Sequence, residues 1–143
     1  LYFPGLLRHH SIQIYGGYSK TINQGMFLSG TPIANARGYE NTNLSSLVYE
    51  SDNHMTFMFN YHLPLINTDF KISNVFYLKR IFGTAFFDYT KSDIIDVSSY
   101  GAELFFEFNV LQVSSPFAVG IRGSIVNNPS TKLVPELVAE LNF

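Results

Sequence analysis

The sequence contains no cysteine and no tryptophan, and only 14% of its residues are charged. Without cysteine the chain forms neither a disulfide nor a thiolate metal site, which fits an exported protein. The charged fraction is low, because soluble domains usually carry about 25%. The net charge of −2 gives no electrostatic reason to bind nucleic acid, so nucleic acid is not an expected partner.

Long apolar runs are missing as well. No segment approaches the ~18 consecutive apolar residues of a transmembrane helix, and no amphipathic helix of useful length is visible. Yet hydrophobic residues make up 46% of the chain and aromatic residues 16%, with 14 Phe and 9 Tyr. The apolar residues are dispersed by alternation with polar ones, and this pattern predicts an all-β fold.

Six segments alternate with the period of two that β-strands have. They cover approximately residues 10–20, 54–63, 75–89, 100–110, 117–126 and 132–143. Polar or turn-forming segments separate them and are predicted to interrupt the strands. These are a long loop at about 21–53, a break at Pro64 and 67–69, a connection at 91–99 and a tight turn at 127–130.

The predicted strands are long enough to cross a bilayer. They have about ten residues or more, whereas strands of globular proteins usually have about 5–6 and a tilted membrane-spanning strand needs ~9–11. One face is crowded with Phe and Tyr while the other carries charged side chains, which is typical of a transmembrane antiparallel β-barrel in the bacterial outer membrane. We therefore expect Phe57, Phe59, Phe106 and Phe108 to face lipid. The alternative is a soluble antiparallel sandwich, whose strands also alternate.

The last predicted strand has the sequence KLVPELVAELNF. Leu133, Pro135, Leu137 and Phe143 share one face of this strand, and the opposite face is mostly polar. Bacterial outer-membrane barrels commonly end with a strand of this kind that closes on Phe. The end of the chain therefore also favours the outer membrane.

Six strands are too few to close such a barrel. Single-chain bacterial barrels have an even number of strands from about 8 upwards, and each unpaired backbone group of an open edge in lipid costs several kcal/mol. Either two strands near the N-terminus escape detection, or residues 1–143 are the C-terminal portion of a larger barrel. The chain starts with Leu1 rather than Met, which favours the second interpretation.

The predicted long loop contains the tripeptide Arg-Gly-Tyr at the end of GMFLSGTPIANARGY. Further segments follow it in order: FNYHLPL (59–65), GTAFFDY (83–89), SSYGAELFFEF (98–108), PFAVGIRGSIV (116–126) and ELVAELNF (136–143). In this order they resemble the bacterial surface-antigen family, the BamA/TamA-like outer-membrane assembly factors, over nearly the whole chain. The resemblance implies that the chain supplies about the last six strands of a sixteen-stranded barrel.

The resemblance also implies a site in which the loop folds back into the barrel lumen. Arg37 is expected near Asp88, with Phe86 beneath the guanidinium, since an arginine pairs well with a carboxylate and stacks on an aromatic ring. Gly38 would allow the tight turn at the loop tip, and Tyr39 would pack against the wall. The alternative is an exposed loop tip with no partner.

Two positions bear on the composition of this implied site. Many relatives carry a glutamate where Asn60 stands, so the resemblance implies that the luminal network has lost one carboxylate here. His62 stands where a basic residue is common.

Other candidates for chemistry are weak. His54 and His62 lie eight residues apart, roughly 26 Å along a strand, so these two cannot share a metal ion. Glu103 and Glu107 lie about 13 Å apart on one face, too far for a paired-carboxylate glycosidase. No nucleophile elbow or phosphate-binding glycine loop is present. We therefore expect no enzyme, no cofactor and no metal.

The resemblance implies a protein that helps to insert or translocate other proteins at the outer membrane. Its mechanism would use a weak seam between the first and last strands, with Leu133–Phe143 as one side of the seam and Pro135 weakening the pairing locally. The expected partners are outer-membrane lipid, the remainder of the barrel, periplasmic domains, and client or complex proteins. Two alternatives stay open: a barrel that is the anchor or secretion pore of an absent N-terminal domain, enzymatic or not, and a small structural or porin-like barrel.

Overall fold

The computed structural model describes residues 1–7, 9–20, 36–38, 53–71, 76–93, 96–110, 117–128 and 130–141. Within these residues the protein is all-β, as the alternation predicted. The strands are β1 (Tyr2–Pro4), β2 (Ser11–Lys20), β3 (Asn53–Lys71), β4 (Phe76–Ser92), β5 (Asp96–Val110), β6 (Phe117–Asn128) and β7 (Ser130–Leu141).

The strands form one antiparallel sheet in which each strand pairs with the next along the chain. In the described part of the chain β1 and β7 are the two edges, and they do not pair with each other, so the sheet is open. None of the described residues belongs to a helix of the length and apolarity that crossing a membrane requires.

Each of the six predicted segments falls for the most part in one of the strands β2 to β7, although residues 75 and 142–143 lie outside the described residues. The structure adds the short β1, which the alternation did not predict. The connection predicted at 91–99 is found between the same two strands, but its predicted bounds are too wide, because β4 continues to Ser92 and β5 begins at Asp96. The reason is that small hydroxyl side chains such as Thr90, Ser92 and Ser99 are buried on one face of the sheet. In this sheet a polar residue therefore does not mark the end of a strand.

The predicted break at Pro64 is wrong, since β3 runs through it from Asn53 to Lys71. The pairing of β3 with β4 shifts its register between Pro64 and Ile66, and again between Asn67 and Phe70. Proline has no N–H to contribute to a ladder, and strands accommodate it at bulges of this kind. The predicted breaks at Pro64 and at 67–69 therefore coincide with shifts in register, but they do not end the strand.

The predicted turns are described only in part. Asn128 pairs with Ser130, so β6 and β7 approach each other across a single position, and Pro129 lies outside the described residues. Of the predicted loop at 21–53, the described part before β3 is residues 36–38, where Arg37 and Gly38 form a turn.

The two faces of the sheet differ sharply in chemistry. We call the face with Asn60, Asp88, Glu103, Arg122 and Glu136 the polar face, and the opposite one the apolar face. Among the residues whose burial the structure describes, more polar or charged residues than hydrophobic ones are buried. Large hydrophobic side chains are exposed on the apolar face: Met55, Phe57, Phe87, Tyr100, Val119, Ile121, Leu133 and Leu137. Buried charged side chains together with a row of exposed large apolar ones are unusual in a soluble domain.

The apolar face meets no second sheet among the described residues. Phe57 is exposed, and Phe59, Phe106 and Phe108 are half-buried on the same face. The ring of Phe108 stacks on that of Phe117 of the neighbouring strand, with centroids 5.6 Å apart. These rings therefore do not fill a closed core between two described sheets, which the soluble sandwich would require.

Candidate functional site

The antiparallel register brings polar residues from six strands into rows across the polar face. One row runs from β2 to β7 through directly paired positions: Ser11, His62, Thr84, Glu103, Arg122 and Glu136. A second row contains Asp88 of β4 opposite Ser99 of β5. The row between them contains Phe86 of β4 opposite Gly101 of β5. Residues far apart in sequence thus become neighbours on one surface.

The described part of the loop lies on this surface, against β4. The backbone N–H of Ala36 donates to Thr90 Oγ1 at 3.1 Å, and the backbone N–H of Arg37 donates to Asp88 Oδ2 at 3.1 Å. Ala36 is only 1% exposed. Because loops usually run over the surface in contact with water, this burial indicates that the turn is a fixed part of the polar face.

Arg37 and Asp88 form a bidentate pair. Arg37 Nε donates to Asp88 Oδ2 at 2.7 Å, and Arg37 Nη2 donates to Asp88 Oδ1 at 2.8 Å. The Asp88 side chain is completely buried at 0% exposure. A buried carboxylate is costly unless it is paired and hydrogen-bonded, and here both oxygens accept from the guanidinium.

Phe86 lies beneath the same guanidinium, whose Cζ is 3.9 Å from the ring centroid. The structure thus brings together Arg37, Phe86 and Asp88, the three side chains that the sequence analysis expected to meet. Gly101, opposite Phe86, leaves room for this ring, because a Cβ on Gly101 would lie 2.9 Å from Phe86 Cζ. The sequence signal for this role is the one glycine in the alternating segment SSYGAELFFEF.

Two further residues complete the contacts of the guanidinium. Arg37 Nη1 donates to Glu103 Oε1 at 3.2 Å, and Arg37 Nη2 donates to Asn60 Oδ1. Asn60 thus accepts a hydrogen bond although it replaces the glutamate that the resemblance implies. Glu103 supplies a second carboxylate, which the sequence analysis had placed on this face without assigning it a partner.

These contacts fix the charge state of Arg37. Burial of the guanidinium lowers its pKa, but the hydrogen bond and negative charge of Asp88, together with those of Glu103, outweigh burial and raise the pKa above its usual value. Arg37 is therefore protonated at pH values near neutrality.

Gly38 turns the chain immediately after Arg37. Its φ of 77° lies in the left-handed region that favours glycine. A Cβ on Gly38 would also lie 2.8 Å from Ser124 Cβ of β6. Backbone conformation and close approach therefore both require glycine here. Tyr39, which was expected to pack at the wall, lies outside the described residues.

The hydrogen bonds continue from Arg37 in both directions across the sheet. Towards β7, Arg122 Nε donates to Glu103 Oε1 at 2.6 Å and Arg122 Nη1 donates to Glu136 Oε2 at 3.2 Å. Towards β2, Asn60 Nδ2 donates to Gln13 Oε1 at 3.2 Å. Six strands are thus joined by one chain of polar contacts, which the sequence analysis did not anticipate.

A separate ion cluster lies further along the same face. Arg80 Nε donates to Glu107 Oε2 at 2.5 Å, and Lys79 Nζ lies 3.2 Å from Glu107 Oε1. Like the pair of Arg122 and Glu103, this cluster joins an arginine to a glutamate of β5. Variants of Arg80 and Glu107 can therefore serve as controls for variants of the residues around Arg37.

The two histidines of β3 lie on the polar face, as their positions predicted. His54 contacts Thr56 Oγ1 at 3.0 Å through Nε2, and His62 contacts Thr84 Oγ1 at 3.0 Å through Nδ1. Across the described ranges, no cluster of three or more His, Asp or Glu side chains is arranged to hold a metal ion.

Two of the three residues predicted for the seam, Pro135 and Leu137, lie in β7, the edge strand of the described sheet. Pro135 and Leu137 both point to the apolar face, and Leu137 is 86% exposed. An edge position is where a strand tolerates proline. Phe143 lies outside the described residues, so its expected place at the end of the strand is not described.

No protein-family model, curated protein or solved structure matches this chain. The likeness to the surface-antigen family therefore rests on the ordered segments of the sequence.

Proposed function

We propose that the chain is part of a transmembrane β-barrel of the bacterial outer membrane that helps to insert or translocate other proteins, in the manner of the BamA/TamA-like surface-antigen family. The observation that carries the proposal is the turn with Arg37 held by Asp88 on the polar face. In the proposed barrel the polar face lines the lumen and the apolar face contacts lipid.

The distribution of side chains supports the membrane part of this proposal. Charged groups such as Asp88, Glu103 and Glu107 are buried, whereas large apolar side chains such as Leu133 and Leu137 are exposed. Lipid-facing and lumen-facing residues alternate in this way in transmembrane barrels. The strands β2 to β7 have between 10 and 19 residues, which meets the ~9–11 that a tilted spanning strand needs.

The open edges support the idea of a larger barrel. Edges such as those of β1 and β7 in the described sheet are not tolerated in hydrocarbon, because the unpaired backbone groups have no water to bind. Further strands, sixteen in total by the resemblance, would close the wall. In that barrel β7 is the strand that meets the first strand at the seam.

Two parts would act together in assembly. The turn at Arg37 fixes the loop inside the lumen and braces β3, β4 and β5, since the guanidinium bonds to all three strands. The seam strand β7 carries Pro135, which removes one N–H from its ladder. A client strand would pair with this edge by strand addition.

The test is depletion of the full-length protein in its own bacterium, followed by measurement of the folded, heat-resistant fraction of other outer-membrane proteins. We expect this fraction to fall, and to recover with the wild-type gene. Arg37→Ala should restore it only partly, whereas Arg80→Ala, which alters the separate ion cluster, should restore it fully. Unchanged folding of the other proteins, with loss of an activity attached to this protein, would indicate an anchor or secretion pore instead.

A further inference from the structure

Glu103 is shared by two arginines from different parts of the molecule. Its Oε1 accepts from Arg37 Nη1 of the loop at 3.2 Å and from Arg122 Nε of β6 at 2.6 Å. Glu103 is 7% exposed, so little water is present to screen either contact. The two guanidinium groups therefore share the negative charge of one buried carboxylate, and removing either of them leaves more of that charge to the other.

Arg122 has a second carboxylate partner, and that partner belongs to the edge strand. Arg122 Nη1 lies 3.2 Å from Glu136 Oε2 of β7. Glu103, Arg122 and Glu136 occupy directly paired positions on β5, β6 and β7. The contact of Arg122 with Glu136 thus exists only while β7 is paired with β6.

We propose that Arg122 is a positioning residue that couples the pairing of β7 to the position of the loop. With β7 in place, Glu136 neutralises part of the charge of Arg122 and leaves Glu103 to Arg37. When β7 separates from β6, Arg122 turns to Glu103 alone, and Arg37 loses its second carboxylate. Separation of β7 from β6 therefore loosens the loop, and withdrawal of the loop strengthens the contact of Arg122 with Glu103. This inference rests on the proposed function, which makes β7 the seam strand.

The coupling predicts effects of opposite sign for two neighbouring residues. Removing the positive charge of Arg122 relieves its competition with Arg37, so Arg37 should hold the loop more tightly. Removing the negative charge of Glu136 increases that competition, so the loop should loosen. A purely structural role for these residues predicts instead that both changes disturb the wall and loosen the loop. The sign of the change therefore separates the two explanations.

The loop can be followed with one cysteine, because the 143 residues contain none. Ala36 is buried and hydrogen-bonded to β4, so Ala36→Cys should react slowly with a membrane-impermeant maleimide while the loop lies on the polar face. The measurement uses the full-length protein in outer-membrane vesicles. The rate of labelling reports how often the loop leaves.

We expect Glu136→Gln to raise the labelling rate about fivefold, the lower end of usual coupling between sites. Arg122→Gln should lower the rate below that of the wild type. The double variant should be labelled at the same rate as Arg122→Gln, because in this proposal Glu136 acts on the loop through Arg122. Arg80→Gln and Glu107→Gln, the matched changes in the separate ion cluster, should leave the rate unchanged.

Any other pair of changes in the labelling rate overturns the proposed coupling. Examples are an equal increase in both variants and an unchanged rate in Glu136→Gln. Asp88→Asn distinguishes this failure from failure of the proposed function. It should raise the labelling rate strongly whether or not Arg122 couples the two parts. If Asp88→Asn labels as slowly as the wild type, the Arg37 contact does not hold the loop, and the proposed function loses its main support.

Discussion

At the scale of single residues, the stability of the site depends on neutralising a fully buried carboxylate. Asp88 has no exposure, and both of its oxygens accept from Arg37. Only an arginine supplies two parallel donors and a flat face for Phe86 at the same time. Arg37, Phe86 and Asp88 therefore depend on one another, and a change in any of them alters the contacts of the other two.

Asp88→Asn is the mildest test of this dependence, because it keeps the shape of the side chain and removes its charge. We expect the free energy of unfolding in lipid bilayers to fall by about 1.5–3 kcal/mol, as for a lost hydrogen bond to a charged group. The matched control is Asp96→Asn, which removes an exposed carboxylate 3.9 Å from Lys91 and should change stability by less than about 1 kcal/mol. Equal losses of unfolding free energy in the two variants would mean that the buried pairing of Asp88 adds nothing to stability beyond that of an exposed ion pair.

At the scale of strands, the alternation in the sequence was sufficient to assign the two faces. The segments around Phe57, Phe87 and Ile121 present apolar residues to one side, as predicted. Strand ends were harder to predict, because buried hydroxyl groups near Thr90 and Ser99 have the composition of a loop. The short β1 contains too few residues for a periodic pattern.

The site was predictable only where a motif identified it. Arg37, Phe86 and Asp88 could be linked because the resemblance pairs them. The contacts among Glu103, Arg122 and Glu136 could not be predicted, because they depend on the register of three strands. A shift of one residue in that register would move each side chain to the other face. The alternation within each strand does not determine which residues of neighbouring strands lie opposite one another.

Pairing of β5 with β6 requires a glycine at position 101. A Cβ on Gly101 would lie 2.0 Å from the carbonyl oxygen of Gly123, as well as 2.9 Å from the Phe86 ring. We expect Gly101→Ala to lower the free energy of unfolding by about 1–3 kcal/mol, since overpacked interiors usually lose that much. Gly123→Ala is the control, because a Cβ on Gly123 meets no atom within 4 Å. Denaturant titration of both variants is the measurement, and a neutral Gly101→Ala would show that the two strands are not so close.

At the scale of the whole molecule, the described sheet buries charged side chains such as Asp88 and Glu107 on one face and exposes large apolar side chains such as Ile121 and Leu137 on the other. A chain with this distribution is compatible with lipid on one side and poorly suited to water on both sides. The functional proposal depends on this property, because the seam and the fixed loop have a role only in a barrel that spans a membrane. The central claim is therefore that the apolar face contacts lipid.

Ile121→Arg tests that claim most directly. Ile121 lies near the middle of β6 on the apolar face and is 56% exposed, while Asn127 lies near the end of the same strand and face. We predict that Ile121→Arg lowers the free energy of unfolding in bilayers by about 2–4 kcal/mol, and that Asn127→Arg costs only about 0–1 kcal/mol, because the penalty for a charge depends on depth in the membrane. A change within about 0.5 kcal/mol for Ile121→Arg, as expected on a surface exposed to water, would contradict the account.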